Sequence, residues 1–295
     1  MIAPASPRKI TVGAGLAALL ALQAAQALAD NPPNRPAEAD NVHVVLLVAG
    51  ADSNIGNADV QDVRAVKHAV ETAFAGEAKR LHIHDLTHKN PKTGKFWTGP
   101  EIVQYLRNLK DGPNDNVLVF HSGHGGIKDR KHPEDSHILT VDGGPIARKD
   151  IVKAVQAHQP RALILLTDCC SSYMDAPVSL DNEEVNVKTV RNLLLRPAGL
   201  VSITAAQDGK EATATFKGTN PGHAGSAFTV AMTRLWYRHD VTFSTWKAFY
   251  PKLREETKQA SGGQHQARAF RLIENAPQTA ALAPAEALVS ESTLD

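Results

Sequence analysis

The chain of 295 residues reads as an α/β protein, with a mostly parallel sheet of about six strands and helices on both faces. Three observations predict this. Continuous aliphatic runs, HVVLLVA from His43, NVLVF from Asn116 and ALILL from Ala162, show no polar alternation, as strands covered on both faces require. Stretches with helical spacing lie between them, so strand and helix alternate along the chain. Aromatic residues make up only 5% of the sequence, which leaves Val, Leu, Ile and Ala to fill the core.

The first segment stands outside this pattern. Arg8 and Lys9 precede an Ala/Leu-rich run ending in Ala27-Leu28-Ala29, the three parts of a secretory signal peptide (residues 1–29). Cleavage after Ala29 and export, periplasmic or extracellular, are therefore expected. An uncleaved anchor is the alternative, weakened by Gln23 and Gln26 within the run. Residues 30–41, rich in Pro, Ala and Asn, read as a linker, and residues 42–275 as the folded domain.

Within that domain the first strand, His43 to Ala49, is followed by a helix over Asp59 to Phe74 that stacks Val63, Val66, Val70 and Phe74. Arg80 to His84 is a short strand in which Leu81 and Ile83 alternate with His82 and His84. A helix over Thr98 to Leu109 leads to the strand at Asn116 to Phe120, and a helix over Ala147 to Ala157 to the strand at Ala162 to Leu166. Leu200 to Thr204 is a fifth strand. Ser226 to Tyr237 is a helix with Phe228, Met232 and Leu235 on one face, and Ala267 to Leu272 is the last strand. Residues 276–295 form an Ala/Pro-rich tail expected to be disordered.

Composition excludes several functions. Lys+Arg 32 against Asp+Glu 31 gives a formal charge of +1, and loss of Arg8 and Lys9 with the signal peptide turns it to −1. There is no basic excess for nucleic acid, and no membrane partner is expected after signal cleavage. The two cysteines, Cys169 and Cys170, are neighbours and cannot build a disulfide framework. Histidine pairs such as His82/His84 and His132/His137 invite a zinc reading, but without H-E-x-x-H or a second cysteine pair no metal is expected. Gly222-His223-Ala224-Gly225 is followed by no Lys-Ser/Thr, which argues against a nucleotide cofactor.

The chemistry sits at two strand ends, where ligands bind in open parallel sheets. One strand runs into His121-Ser122-Gly123-His124-Gly125-Gly126, the other into Thr167-Asp168-Cys169-Cys170-Ser171-Ser172. If the strands are neighbours, an imidazole and a thiol meet at one edge. The imidazole can take the thiol proton and return it to a leaving amine, and the flanking glycines can offer N–H groups to an oxyanion.

LVFHSGHGG together with LILLTDCCSS resembles the caspase-like cysteine peptidases, closest to metacaspases and their bacterial relatives, with legumain-like peptidases as neighbours. The resemblance spans roughly Val42 to Leu272 and implies a three-layer α/β/α sandwich. It places the catalytic histidine at His124 and the nucleophile at Cys170, with oxyanion donors at the backbone N–H of Gly125 and Cys170. Alternation of side chains at a strand end also argues that Cys169 and Cys170 do not both face His124. Further matches are the Asp62 region at the start of the first helix, the strand and loop Ser202 to Asp208, and Gly225-Ser226-Ala227-Phe228-Thr229.

The resemblance implies a cysteine endopeptidase that forms a thioester acyl-enzyme on protein or peptide substrates. A carboxylate at Asp168, with Asp62 and Ser122 beside it, suits cleavage after Arg or Lys, since a guanidinium or ammonium pairs with carboxylates by charge-assisted hydrogen bonds. Asp62 can equally serve as a helix N-terminal carboxylate, and Ser122 as a turn hydroxyl. Ser171 and Tyr173 replace the usual His and Gly of the motif, so a catalytically silent peptide-binding module is the alternative. No cofactor is expected. The acidic segment Asp175 to Val187 is where the resemblance implies calcium activation or processing, a solvated acidic loop being the other reading, and Lys188 and Arg191 are candidate self-processing points.

Overall fold

A computed structural model describes residues 37–50, 56–129, 131–169, 171–174, 184–207, 209–210, 212–215 and 225–274. Its centre is a six-stranded sheet in the order β12-β9-β7-β3-β1-β2. The members are β1 (Val42–Val48), β2 (Leu81–Asp85), β3 (Asn116–Gly123), β7 (Ala162–Cys169), β9 (Gly199–Thr204) and β12 (Arg268–Glu274). Five run parallel, and β12 closes the edge antiparallel to β9 with a register shift between Ala269 and Arg271. The predicted α/β class and strand count hold, and every residue of β1, β3 and β7 is buried, as their unbroken aliphatic sequence demands.

Helices cover both faces. On one lie α1 (Gly56–Ala73), α5 (Val187–Leu195), α6 (Ala227–Tyr237) and α7 (Trp246–Ala260), whose Val66, Val70, Leu193, Phe228, Met232 and Phe249 pack on Leu46, Leu118, Phe120 and Ile164. On the other lie α2 (Gly99–Arg107) and α4 (Arg148–Gln156), with Ile102, Leu106, Ile151 and Val155 against Val45, Val119 and Leu165. Two faces and two cores make the three layers. Strand alternation sorts the side chains: Ile164, Leu166 and Asp168 face the α1/α6 side, whereas Leu163, Leu165 and Cys169 face the α2/α4 side.

Helices α5 and α7 lie outside the elements expected from the sequence, as do two small sheets. One sheet holds β4 (Gly125–Ile127), β5 (His137–Val141) and β6 (Gly144–Ala147), with the short helix α3 (Pro133–Ser136) between β4 and β5. The other holds β8 (Ser171–Met174), β10 (Ala212–Thr215) and β11 (Gly225–Ser226). Docking also begins before Val42: Ala39 is buried and donates its N–H to Leu195 O at 2.8 Å, within the stretch read as linker. The signal-peptide segment and the tail from Ala276 lie outside the described residues.

Candidate active site

The two chemistry-bearing strands are neighbours. β3 and β7 pair in parallel to their ends, with Ser122 opposite Asp168 and Gly123 opposite Cys169. His124 follows β3 directly, and its carbonyl accepts the N–H of Thr140 at 2.8 Å, which fixes the turn between β3 and β4 onto β5. Cys170, the predicted nucleophile, lies outside the described residues.

The neighbouring histidine and cysteine are each directed inward. His121 is fully buried and donates Nε2–H to Thr140 O at 2.7 Å; burial pushes its pKa down to about 4, so it is a neutral strut. Cys169 is 1% exposed, with Sγ 3.2 Å from His137 Nε2 and 3.7 Å from Thr204 Oγ1. A Cβ on Gly125 would lie 2.9 Å from Cys169 Cβ and 3.0 Å from its Sγ, so only glycine lets β4 cross the end of β7 this closely. Cys169 faces the α2/α4 side and meets a histidine, while the direction of Cys170 lies outside the described residues. That histidine, His137, was not foreseen in this role, because no spacing links β5 to β7.

On the opposite face the three pocket candidates come together. Ser122 Oγ donates to Asp62 Oδ2 at 2.8 Å and lies 3.3 Å from Asp59 Oδ1. Asp62 Oδ1 accepts the N–H of Ser226 at 3.0 Å. Asp168 Oδ2 accepts the N–H and hydroxyl of Thr229 at 3.0 and 2.7 Å and a hydrogen bond from Ser226 Oγ, so it sits at the N-terminus of α6 that Ser226 caps. The Gly225 to Thr229 motif thus positions the carboxylate.

All three aspartates are buried, and like charges are crowded together. Burial, reinforced by Asp62, pushes Asp59 up to about 8; burial raises Asp62, and burial followed by the Asp62 charge raises Asp168 well above the usual range. Among the described residues, Asp59 Oδ2 and Asp168 Oδ1 have no hydrogen-bond partner. Asp59 was missed by the sequence reading, although its i, i+3 spacing from Asp62 places both on one helix face.

Other site candidates fall elsewhere. Lys188 and Arg191 lie inside α5, where Arg191 pairs with Glu77 at 2.8 Å and stacks over Phe74, so neither offers an extended scissile segment without unwinding the helix. Asp175, Asp181 and Glu183 lie outside the described residues, whereas Glu184 just precedes α5. Among the described residues no three metal-ligating side chains converge, and no helix is long and apolar enough to cross a membrane.

The family model described as Peptidase_C14, caspase domain, matches residues 62–266, more than half of the chain. Among curated proteins, none matches it.

Proposed function

The chain belongs to the caspase domain family of cysteine peptidases, and from that premise we propose that it is an endopeptidase of metacaspase type cutting after Arg or Lys, with Cys170 as nucleophile and His124 as base. Protein or peptide substrates follow from the family. The inward engagement of His121 and Cys169 supports giving the chemistry to His124 and Cys170. In this reading His124 takes the Cys170 proton and the thiolate adds to the scissile carbonyl. The backbone N–H of Gly125 and of Cys170 stabilise the oxyanion, and His124 returns the proton to the leaving amine. Water, deprotonated by His124, then releases the acyl group from the thioester.

The observation that carries the specificity is the buried trio Asp59, Asp62 and Asp168, with two carboxylate oxygens lacking partners beside Ser122. Buried carboxylates with raised pKa values lack a counter-charge and are well matched to an incoming cation. Export through Met1–Ala29 belongs to the same proposal and is tested by N-terminal sequencing of secreted protein. The enzymatic reading is tested by labelling with an Arg-ended acyloxymethylketone, with and without calcium. An adduct on Cys170 that is lost in Cys170→Ala and His124→Ala but kept in Cys169→Ala supports it. An adduct on Cys169, or faster turnover of Asp-ended than Arg-ended peptides, overturns it.

A further inference from the structure

The three buried carboxylates are not alike. Asp62 is engaged at both oxygens: Oδ2 accepts from Ser122 Oγ at 2.8 Å, Oδ1 accepts the N–H of Ser226 at 3.0 Å, and a Cβ on Gly225 would lie 3.0 Å from that same Oδ1. Asp59 and Asp168 are each engaged at one oxygen. Asp59 Oδ1 lies 3.3 Å from the Ser122 hydroxyl, and Asp168 Oδ2 accepts from Ser226 Oγ and from the N–H and hydroxyl of Thr229. Asp59 Oδ2 and Asp168 Oδ1 have no partner among the described residues, and both residues are 1% exposed.

The free oxygens thus belong to two different carboxylates, one on α1 and one on β7. Ser122 stands between them, opposite Asp168 on the neighbouring strand and 3.3 Å from Asp59 Oδ1. The ionisable groups that bear most on the trio are its own members, with Asp142 acting on Asp59 and Cys169 on Asp168, and each of these is acidic. Burial and this crowding favour the protonated forms. A proton on Asp59 Oδ2 has no acceptor among the described residues, whereas an incoming N–H donor that carries positive charge supplies both the hydrogen bond and the counter-charge.

The same place suits a side chain held at the catalytic pair. Ser122 and Asp168 each precede a member of that pair by two residues, roughly 6.6 Å of extended chain. Lysine and arginine both span such a distance, and they differ in what they offer at its end. The donors of an ammonium radiate from one nitrogen, whereas a guanidinium spreads its donors over three nitrogens in a rigid plane. Two free acceptors on separate carboxylates, with an occupied third carboxylate beside them, match the second pattern.

We infer that Asp59 is a specificity-determining residue which, together with Asp168, takes two separate N–H groups of a guanidinium and so selects Arg over Lys. This role rests on the peptidase reading and narrows its substrates from two residues to one. It also carries a direction with pH: Asp59 must release its proton to hold the cation, so Arg is held more tightly as pH rises.

The test uses the full chain carrying Cys170→Ala and fluorescein-labelled tetrapeptides that differ only in their last residue, Arg, Lys or citrulline, the neutral isostere of Arg, followed by anisotropy. The Arg peptide should bind about tenfold or more tightly than the Lys peptide, because Lys forgoes a charge-assisted hydrogen bond, and the citrulline peptide should bind weakly. Asp59→Asn, which keeps an acceptor for Ser122, should weaken Arg binding and bring the Arg-to-Lys ratio close to one. With Asp59 in place that ratio should rise between about pH 6 and 8.5, and less steeply in Asp59→Asn. Equal binding of Arg and Lys, citrulline bound as tightly as Arg, a ratio unmoved by Asp59→Asn, or an equal loss of both ligands, as a purely structural role would give, would overturn the assignment. With Cys170 intact, turnover of Arg-ended and Lys-ended amides at equal kcat/KM would overturn it and leave the peptidase reading standing. Asp59-dependent selection of the Arg peptide without turnover of either amide would count against the peptidase reading alone.

Discussion

Replacing Asp59 by Asn tests the buried carboxylate cluster through stability alone. Asp59 rises from 3.8 to about 8 in the folded chain because it is buried next to Asp62. Between those values the folded state holds a proton that the unfolded chain has released, so stability is greatest below pH 4 and falls as pH rises towards 8. At about 1.4 kcal/mol per pH unit, the stretch from pH 5 to pH 8 removes roughly 4 kcal/mol as an upper bound, and relaxation of the site brings this nearer 2–3 kcal/mol. Asn cannot ionise, keeps an acceptor for Ser122 Oγ, and places an N–H₂ where Oδ2 now lacks a partner. Urea unfolding of both chains at pH 5, 6.5 and 8 should give stabilities that lie closest at pH 5 and separate with rising pH, the Asn variant being the more stable at pH 8. Parallel pH dependence, or a variant less stable at pH 8, would refute the account of the cluster as a set of unmatched carboxylates.

Further outcomes follow from single contacts. Gly125→Ala inserts a methyl 2.9 Å from Cys169 Cβ and should cost about 1–3 kcal/mol, measured by urea unfolding, with part of the loss recovered in Gly125→Ala/Cys169→Ala. His121, lowered to about 4 by burial, binds no proton in the fold where the unfolded chain does, so it should contribute about 3 kcal/mol of stability loss from pH 6.5 to 4; His121→Gln should flatten that limb of the pH profile. Thr98→Ala removes the capping box of α2 and should lower stability by about 1 kcal/mol in the same assay. Ser226→Ala deletes the α6 cap and a hydrogen bond to Asp168; a rise in KM for Arg-ended peptides, with kcat less affected, is the expected kinetic result.

Much of the frame was legible without coordinates. ALILL and NVLVF need no tertiary information to be read as interior strands, because only a strand sealed on both faces tolerates such runs. His124, Cys170, Asp168, Asp62 and Ser122 could be selected from short motifs, and four of the five are described where β3, β7 and α1 converge. Helix α7 escaped because Pro251 and the charges of KLREETK mask its apolar face, although Trp246, Phe249 and Leu253 are buried. The small sheets escaped because strands of two to five residues carry almost no periodic signal.

The sequence by itself determined the strand and helix types and the residues able to do chemistry, since those depend on a residue and its near neighbours in the chain. Tertiary structure alone decided the pairings: Cys169 with His137, Asp59 with Ser122 and Asp168, and His43 and His84 of two strands with each other, with Asp115 and with Tyr105. Each joins residues whose distance is set by strand register and by which face of the sheet a side chain takes. Those are properties of the packed layers, fixed only when the whole apolar surface is buried at once.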